Sequence, residues 1–437
     1  MSLPKTLDAW LGLLESRHAR SIQLGLERVE VVRSRMACAS DAVIITVGGT
    51  NGKGSTCAML EAVLRAGGYR VGLYTSPHLL RYNERVRVDG REVDDETLVD
   101  AFDAVEAARE DTPLTYFEHG TLAAWYAFCR EPLDVIVLEV GLGGRLDAVN
   151  VFDSDCAIVT SIAMDHQEYL GDTREAIGHE KAGIFRKGRA AICADPQPPE
   201  SLLLHAEGID AELWLIGRDF GHSGDRQQWS WWCAPRALEA APVRRAGLAF
   251  PALRGVNQLL NASAVLMTLE VLRDRIPVAM QAVREGLMHV ELPGRFQVLP
   301  GRPAVVLDVA HNVQAAGVLA ENLFSMGFFP ETWGVLGMYA DKDVEGVVGL
   351  LAGRIDHWYV ASLDGPRGLS SEALAARVRA TGIDADVRCF DRPDEAYRAV
   401  RKSAGDDDRI VVFGSFMTVS GVMAAIGTSG AHAPRVR

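Results

Sequence analysis

At 437 residues, with 48% hydrophobic and 24% charged side chains, the chain has an ordinary globular composition and length for two domains, at most three. A net charge of −13 excludes a global basic field for holding nucleic acid. It leaves room for anionic small molecules held by local Arg, Lys, metal and backbone N–H groups. The seven cysteines, Cys38, Cys57, Cys129, Cys156, Cys193, Cys233 and Cys389, are scattered and form no CxxC pair. That argues against structural disulfides or a cysteine zinc site and fits a reducing cytoplasm. No basic stretch followed by an apolar core marks a secretory signal. The apolar stretch from Ile410 is broken by Gly414, Ser415, Ser420 and Gly421, so it reads as strand, loop and helix instead of a membrane span.

In chain order, Ala42 to Val47 is a short β-branched run, followed by a glycine-rich turn and a helical stretch from Ser55 to Ala66 that Gly67-Gly68 ends. Arg70 to Tyr74, Asp134 to Val140 and Cys156 to Ile162 read as further strands. Continuous apolar strands separated by helices imply a parallel sheet covered on both faces. Asp195 to Phe250, with Pro196, Pro198, Pro199 and the Trp229, Trp231, Trp232 cluster, reads as a β-rich insertion or the flank of the first domain, its aromatics filling a small core. A helical pattern resumes at Gly255. After a linker around Leu292 to Pro300, strands are expected at Ala304–Asp308, Trp333–Leu336, Trp358–Ala361, Val387–Phe390 and Ile410–Phe413. The expected architecture is α/β throughout, with domains at residues 1–296 and 297–437 and a frayed tail after Gly427.

The sharpest chemical feature is Gly48-Gly49-Thr50-Asn51-Gly52-Lys53-Gly54-Ser55-Thr56, between a strand and a helix. Glycines let backbone N–H groups turn toward phosphate oxygens, and the helix N-terminus adds positive potential. Lys53 suits the β- and γ-phosphates, and Ser55 or Thr56 can offer a hydroxyl near Mg²⁺. The usual loop is GxxxxGK[ST]; here Gly54 separates Lys53 from Ser55, a variant spacing.

Three more polar segments follow predicted strands: Thr75-Ser76-Pro77-His78, Glu139 through Asp147, and Met164-Asp165-His166. Ligands of open α/β sheets bind beyond the carboxyl ends of strands, so Ser76, Glu139 and His166 can converge beside the phosphate loop as a magnesium shell. Taken alone, His166 reads more readily as a structural or hydrogen-bonding residue, because hard cations prefer oxygen, and the convergence of positions raises the metal reading. Lys181 is either a solvated helix residue or a charge partner for phosphate and metal. In the second half, Asp308 follows a strand and suits a ribose hydroxyl or a metal-bound group. His311 and Asn312 suit a polar substrate or a helix cap. Arg295 reads as a nucleotide-phosphate contact or a linker ion pair. Gly414-Ser415-Phe416 offers a second substrate wall.

Taken together, Gly49–Ser55, Thr75-Ser76-Pro77-His78-Leu79, Glu139–Asp147, Glu180-Lys181-Ala182-Gly183-Ile184-Phe185 and Asp308-Val309-Ala310-His311-Asn312 resemble the folylpolyglutamate synthases of the Mur ligase superfamily. The likeness is closest to their bacterial bifunctional dihydrofolate synthase/folylpolyglutamate synthase members, and the shared motifs run from about Ile22 to Thr418. The resemblance implies an N-terminal P-loop NTPase-like domain with a parallel sheet and a C-terminal Rossmann-like α/β domain, with ATP between them. It further implies that Asn51, Gly52, Lys53, Gly54 and Ser55 bind ATP phosphates and that Asn261, Arg295 and Asp308 contact ATP. Ser76, Glu139 and His166 would hold magnesium. Lys181, carboxylated to a carbamate, would serve a second ion. Ile22, Gln23, Leu24, Thr115, Tyr116, Phe117, Glu118, Leu146, Asp147 and Ala148 would line a dihydropteroate site. Gln23 departs from relatives that carry an acid there. His311 and Ser415 would meet substrate in the second domain.

The implied chemistry is phosphorylation of a carboxylate by ATP, attack of the glutamate amine on the acyl phosphate, and release of phosphate. Lys53, Arg295 and magnesium would stabilise charge during phosphoryl transfer, with His166 positioning metal and Lys181 supplying the carbamate. Dihydropteroate and reduced folates would both be acceptors, and the chain is expected to act as a monomer on small molecules, without nucleic acid or membrane. Three alternatives stand beside this reading: a Mur-type ligase acting on a cell-wall precursor, a monofunctional folylpolyglutamate synthase, and an ATP-dependent switch without ligase activity. Gly54 after Lys53 and the Leu114–Glu118 segment disfavour the first.

Overall fold

β-Branched runs build the first sheet. In the computed structural model, which describes residues 3–17, 23–225, 227–235, 241–255, 257–383 and 385–429, Val43–Gly48 (β1), Val71–Tyr74 (β2), Val86–Val88 (β3), Arg91–Glu92 (β4), Val135–Glu139 (β5), Cys156–Val159 (β6), Ala190–Cys193 (β7) and Glu212–Leu215 (β8) form an eight-stranded sheet. Its order is β4-β3-β2-β5-β1-β6-β7-β8. From β2 to β8 every pairing is parallel, and β3 and β4 add an antiparallel edge. Ile45, Val47, Ile136, Val137 and Ile158 have no exposed surface, so the central strands are covered on both faces as their unbroken apolar sequences require. Burying each such side chain contributes about 1.5–3 kcal/mol.

The register matters for chemistry. Val47 of β1 lies opposite Glu139 of β5, and Tyr74 of β2 lies opposite Leu138. The four neighbours β2, β5, β1 and β6 run in parallel, so their following loops emerge at one edge of the sheet. Those loops are the four polar segments singled out in the sequence.

The Asp195 to Phe250 stretch combines the two readings its sequence allows, a flank of the first domain and a β-rich insertion. Its first part, helix Glu200–Gly208 and β8, continues the main sheet. Only Phe220–Gly224 (β9), Trp229–Cys233 (β10) and Val243–Leu248 (β11) form a separate three-stranded antiparallel sheet. Trp229 and Trp231 are fully buried there, with their indole N–H groups on the Ala249 and Ser263 carbonyls. Prolines at 196, 198 and 199 obscured the helix that follows them; Pro199 is its N-cap.

The chain divides into two compact units: Met1–Ala252 with Leu259–Val290, and Leu253–Gln258 with Glu291–Arg437. In the second, Gln297–Leu299 (β12), Ala304–Leu307 (β13), Thr332–Leu336 (β14), His357–Ala361 (β15), Asp386–Phe390 (β16) and Arg409–Phe413 (β17) form a six-stranded sheet ordered β12-β13-β17-β14-β15-β16. All pairings are parallel except β12 with β13. β12 falls inside the span read as a linker. The strand is only three residues long, too short to show a period. The last helix is Phe416–Ser429; the rest of the expected frayed tail, residues 430–437, lies outside the described residues. Among the described residues no helix is long and apolar enough to cross a membrane.

Candidate active site

The phosphate loop is shaped by two glycines in left-handed backbone. Gly49 has φ +140° and Gly52 φ +93°; a Cβ on Gly49 would collide with Thr160 Oγ1, and one on Gly52 would lie 2.6 Å from Asn261 Oδ1. The helix Lys53–Ala66 starts at once, its first ladder bond running from Thr56 N–H to Gly52 C=O at 2.9 Å. The N–H groups of Lys53, Gly54 and Ser55 therefore precede the helical ladder, as an anion site needs. Lys53 Nζ donates to the carbonyls of Gly49 and Thr50 at 3.1 and 3.2 Å, folded over its own loop. Thr56 has no exposed surface and Ser55 keeps 3%. Asn261, on the helix Gln258–Val271, packs against Gly52, which brings this expected ATP contact to the loop.

Ser76 and Glu139 meet directly: the Ser76 backbone N–H donates to Glu139 Oε2 at 3.1 Å, and Glu139 is buried. His166 stands one strand beyond β1, after β6, in left-handed backbone with φ +51°. Its own N–H donates to Asp165 Oδ1 at 2.9 Å. A non-glycine residue held there is uncommon and marks a locally constrained loop. Among the described residues no cluster of three or more His, Cys, Asp and Glu side chains forms a metal site. The donor set fits magnesium only in part: one braced carboxylate, one hydroxyl and one imidazole leave several positions to phosphate oxygens and water.

Lys181 is 3% exposed near the end of the helix Arg174–Ala182. The Gly-rich loop after β5 lies against it: Arg145 N–H donates to the Glu180 carbonyl at 2.7 Å, and a Cβ on Gly144 would be 3.1 Å from the Lys181 Cα. Burial, aided by the charge of Lys53, depresses the Lys181 ammonium from 10.5 to about 7, although Asp165 and Asp147 oppose this. This enclosure favours the neutral amine over the ammonium. The solvated-face reading of Lys181 is therefore excluded.

Three expected acceptor segments come together in the first unit. Gly25 N–H, next to Leu24, donates to the Leu146 carbonyl at 3.2 Å. Arg28 Nη2 donates to the Gln23 carbonyl at 2.9 Å and to Glu118 Oε1 at 2.5 Å. Phe117 covers Gly141, where a Cβ would be 2.5 Å from its ring. Tyr116 makes an edge contact with Tyr82 at 5.9 Å, with the Arg85 guanidinium over its ring. Ile22 lies outside the described residues.

Several polar groups of these segments serve the protein itself. Thr115 and Glu118 close a capping box on the helix Tyr116–Cys129, with bonds of 3.2 and 2.8 Å. Asp147 accepts from the N–H groups of Leu142 and Val149 at 2.8 and 3.0 Å, so it braces the loop ahead of Ala148. Burial lifts its carboxyl from 3.8 to about 6 against those bonds and the Lys53 charge.

In the second unit β13 and β17 are neighbours, so the loops after them meet: Gly414 N–H donates to the Ala310 carbonyl at 3.0 Å. Asp308 accepts from the N–H groups of Phe296 and Ala310 at 2.9 and 2.8 Å. Its pKa is raised by burial, opposed first by Arg295. The Arg295 guanidinium lies 5.1 Å from the Phe416 ring centroid, and the His311 ring 6.5 Å. Asn312 caps the helix Val313–Ser325 through Ala315 N–H at 2.9 Å. Ser415, 2% exposed, accepts from Thr418 N–H at 3.0 Å at the start of the last helix.

Sequence reasoning passed over Thr160, Ser161 and Arg28. Thr160 Oγ1 bonds the Gly48 and Asn51 carbonyls, and Ser161 bonds the Asn51 N–H and carbonyl. They hold the phosphate loop from β6. A Thr-Ser pair directly after an apolar strand was the available signal.

Comparison with known proteins agrees with this geometry. Residues 47–227 match the Mur ligase middle domain, and residues 294–416 match the Mur ligase glutamate ligase domain. The dihydrofolate synthase/folylpolyglutamate synthase of Escherichia coli K12 is 42% identical over 421 residues, 96% of this chain and 95% of that protein. The structure of E. coli FolC in complex with DHPP and ADP superposes with a TM-score of 0.90 at 40% identity, covering 98% of this chain and 99% of that one. A bifunctional folylpolyglutamate synthase/dihydrofolate synthase with Mn, AMPPNP and L-glutamate bound gives 0.88 at 43% identity, with 97% and 98% covered. The chain belongs to the dihydrofolate synthase/folylpolyglutamate synthase family of Mur ligases.

Proposed function

We propose that this chain is an ATP-dependent ligase that adds L-glutamate to dihydropteroate, forming dihydrofolate, and to reduced folates, extending their glutamate tails, with ADP and phosphate as the other products. The observation that carries this reading is the presence in one unit of a phosphate loop after β1 and of three acceptor segments that bond to one another, at 42% identity to a bifunctional relative across nearly its whole length. Complexes of relatives with ADP and DHPP, and with AMPPNP, Mn and L-glutamate, support the same substrates here.

A carboxylate resists attack by an amine because its oxygen leaves poorly; transfer of the ATP γ-phosphoryl group gives an acyl phosphate whose phosphate leaves readily. Lys53 and the loop N–H groups hold the β- and γ-phosphates, and Asn261 orients the nucleotide beside Gly52. Arg295 and Asp308 contact ATP, and His311 and Ser415 belong to the substrate wall of the second domain. Ser76, Glu139 and His166 would hold one magnesium ion. A carbamate on Lys181 would hold the second, and the depressed pKa of the Lys181 amine supports carbamate formation because only the neutral amine adds to carbon dioxide. The metal, when bound, neutralises charge on the transferred phosphoryl group. The seven thiols are consistent with work in the cytoplasm.

Incubating the enzyme with labelled glutamate, ATP and either dihydropteroate or tetrahydrofolate tests the reading. Label entering both acceptors is expected. Label entering tetrahydrofolate alone makes the enzyme a monofunctional folylpolyglutamate synthase, and label entering neither refutes the assignment.

A further inference from the structure

Arg28 stands outside every motif, in the helix Glu27–Met36, yet its side chain reaches two of the three acceptor segments. Nη2 bonds the Gln23 carbonyl at 2.9 Å and Glu118 Oε1 at 2.5 Å. The other carboxylate oxygen of Glu118 accepts the Thr115 N–H at 2.8 Å, closing the start of the helix that carries Tyr116 and Phe117. The short loop between Gln23 and Arg28 reaches the third segment, through Gly25 N–H on the Leu146 carbonyl.

Glu118 is 3% exposed. A carboxylate so enclosed needs a partner charge, and breaking such a pair from one side costs more than the pair contributes. Arg28 Nε is buried with no acceptor among the described residues, so the guanidinium is held at a desolvation cost that its two Nη2 bonds offset. Gln23, by contrast, is exposed and Leu24 half-buried. Packing alone does not fix that loop, and the Arg28 and Gly25 bonds do.

We propose that Arg28 is a positioning residue for the acceptor: through Glu118 and the Gln23 carbonyl it sets the spacing between the walls that grip dihydropteroate. This rests on the assignment of those segments as the acceptor site. Arg28 acts on substrate affinity through protein groups and has no part in phosphoryl transfer. A guanidinium meets two acceptors in fixed geometry, whereas a lysine ammonium is a point charge on a flexible stem, so Arg28→Lys should retain only part of the effect.

Steady-state kinetics of the full chain test this, with dihydropteroate and ATP titrated separately for wild type, Arg28→Ala, Arg28→Lys, Glu118→Gln and the Arg28→Ala/Glu118→Gln pair. Arg28→Ala should raise the dihydropteroate KM about 10- to 100-fold, with the ATP KM within about twofold and kcat changed far less than KM. Arg28→Lys should fall between. The double variant should be no worse than about twofold beyond Glu118→Gln alone, because both changes break one link. An unchanged dihydropteroate KM, an equal rise in the ATP KM, or multiplying effects in the double variant would overturn the proposal. If Arg28→Ala does not fold, Arg28→Lys decides: a dihydropteroate KM at the wild-type value contradicts it. Wild type inactive on dihydropteroate overturns the acceptor assignment with it; wild type active beside an indifferent Arg28 overturns this inference alone.

Discussion

The phosphate loop and the proposed acceptor wall share one unit and are built in different ways. The loop is a contiguous run from Gly48 to Thr56, fixed by two left-handed glycines and braced by Thr160 and Ser161. The acceptor wall comes from three distant segments, and its central bond joins residues 90 positions apart. A contiguous site concentrates its requirements: a single Cβ can fill it. An assembled site distributes them over bonds that position substrate, so damage should appear first as weakened acceptor binding.

The largest expected effect lies beside the loop. Lys181→Ala should lower kcat by about 10³-fold or more, since it removes the proposed carbamate ligand of the second magnesium ion, and a small carboxylic acid added to the assay should restore part of it. Full activity in that variant would remove the carbamate from the account. Gly52→Ala sets a methyl group 2.6 Å from Asn261 in backbone that L-residues avoid. At one to three kcal/mol of strain, about 10- to 100-fold should be lost in kcat/KM for ATP, with dihydropteroate KM little changed. An effect confined to dihydropteroate would erase the contrast between the two sites. Ser76→Ala should shift the magnesium titration about 10-fold or more to higher concentration, and an unchanged titration would take Ser76 out of the metal site.

The smallest effect on activity should come from His119, fully buried between Trp10 and Phe102, with ring centroids 5.8 and 5.5 Å away. Burial lowers its pKa from 6.5 to about 4. On acidification the unfolded chain binds the proton first, so the contribution present above pH 6.5 is lost as pH falls toward 4. That loss is about 2 kcal/mol at pH 5. His119→Phe should leave turnover at pH 7 within about twofold and reduce the fall in urea-unfolding stability from pH 7 to pH 5 by that amount. An identical fall in both proteins would show that other groups carry the acid sensitivity.

This contrast also explains what the sequence disclosed. β1, β2, β5, β6 and the strands of the second sheet other than β12 and β16 were legible because each is a short, largely apolar run ended by a polar turn; β16 was read from its Val387–Phe390 end. The phosphate loop was legible because its glycines, lysine and flanking elements are adjacent. β3 and β4, three and two residues long, carry no readable period, and Val88 and Glu92 give no sign that they share an edge. β7 and β8 were hidden by the proline-rich stretch between them. The acceptor segments came from family resemblance alone, and Arg28 came from neither source, because nothing local to a helix in Leu-Glu-Arg-Val names a partner on another helix. Thr115, Glu118, Asp147, Asn312 and Ser415 show a further limit: a residue type suited to a ligand is equally suited to a cap, and only the fold shows which bonds it makes.

The most direct test of the central claim is the coupling of ATP turnover to amide formation. ADP release and incorporation of labelled glutamate should be measured together, with glutamate and dihydropteroate each omitted in turn. The account predicts one ADP per glutamate incorporated and negligible ADP release when either is missing. Sustained ADP release without glutamate would contradict it.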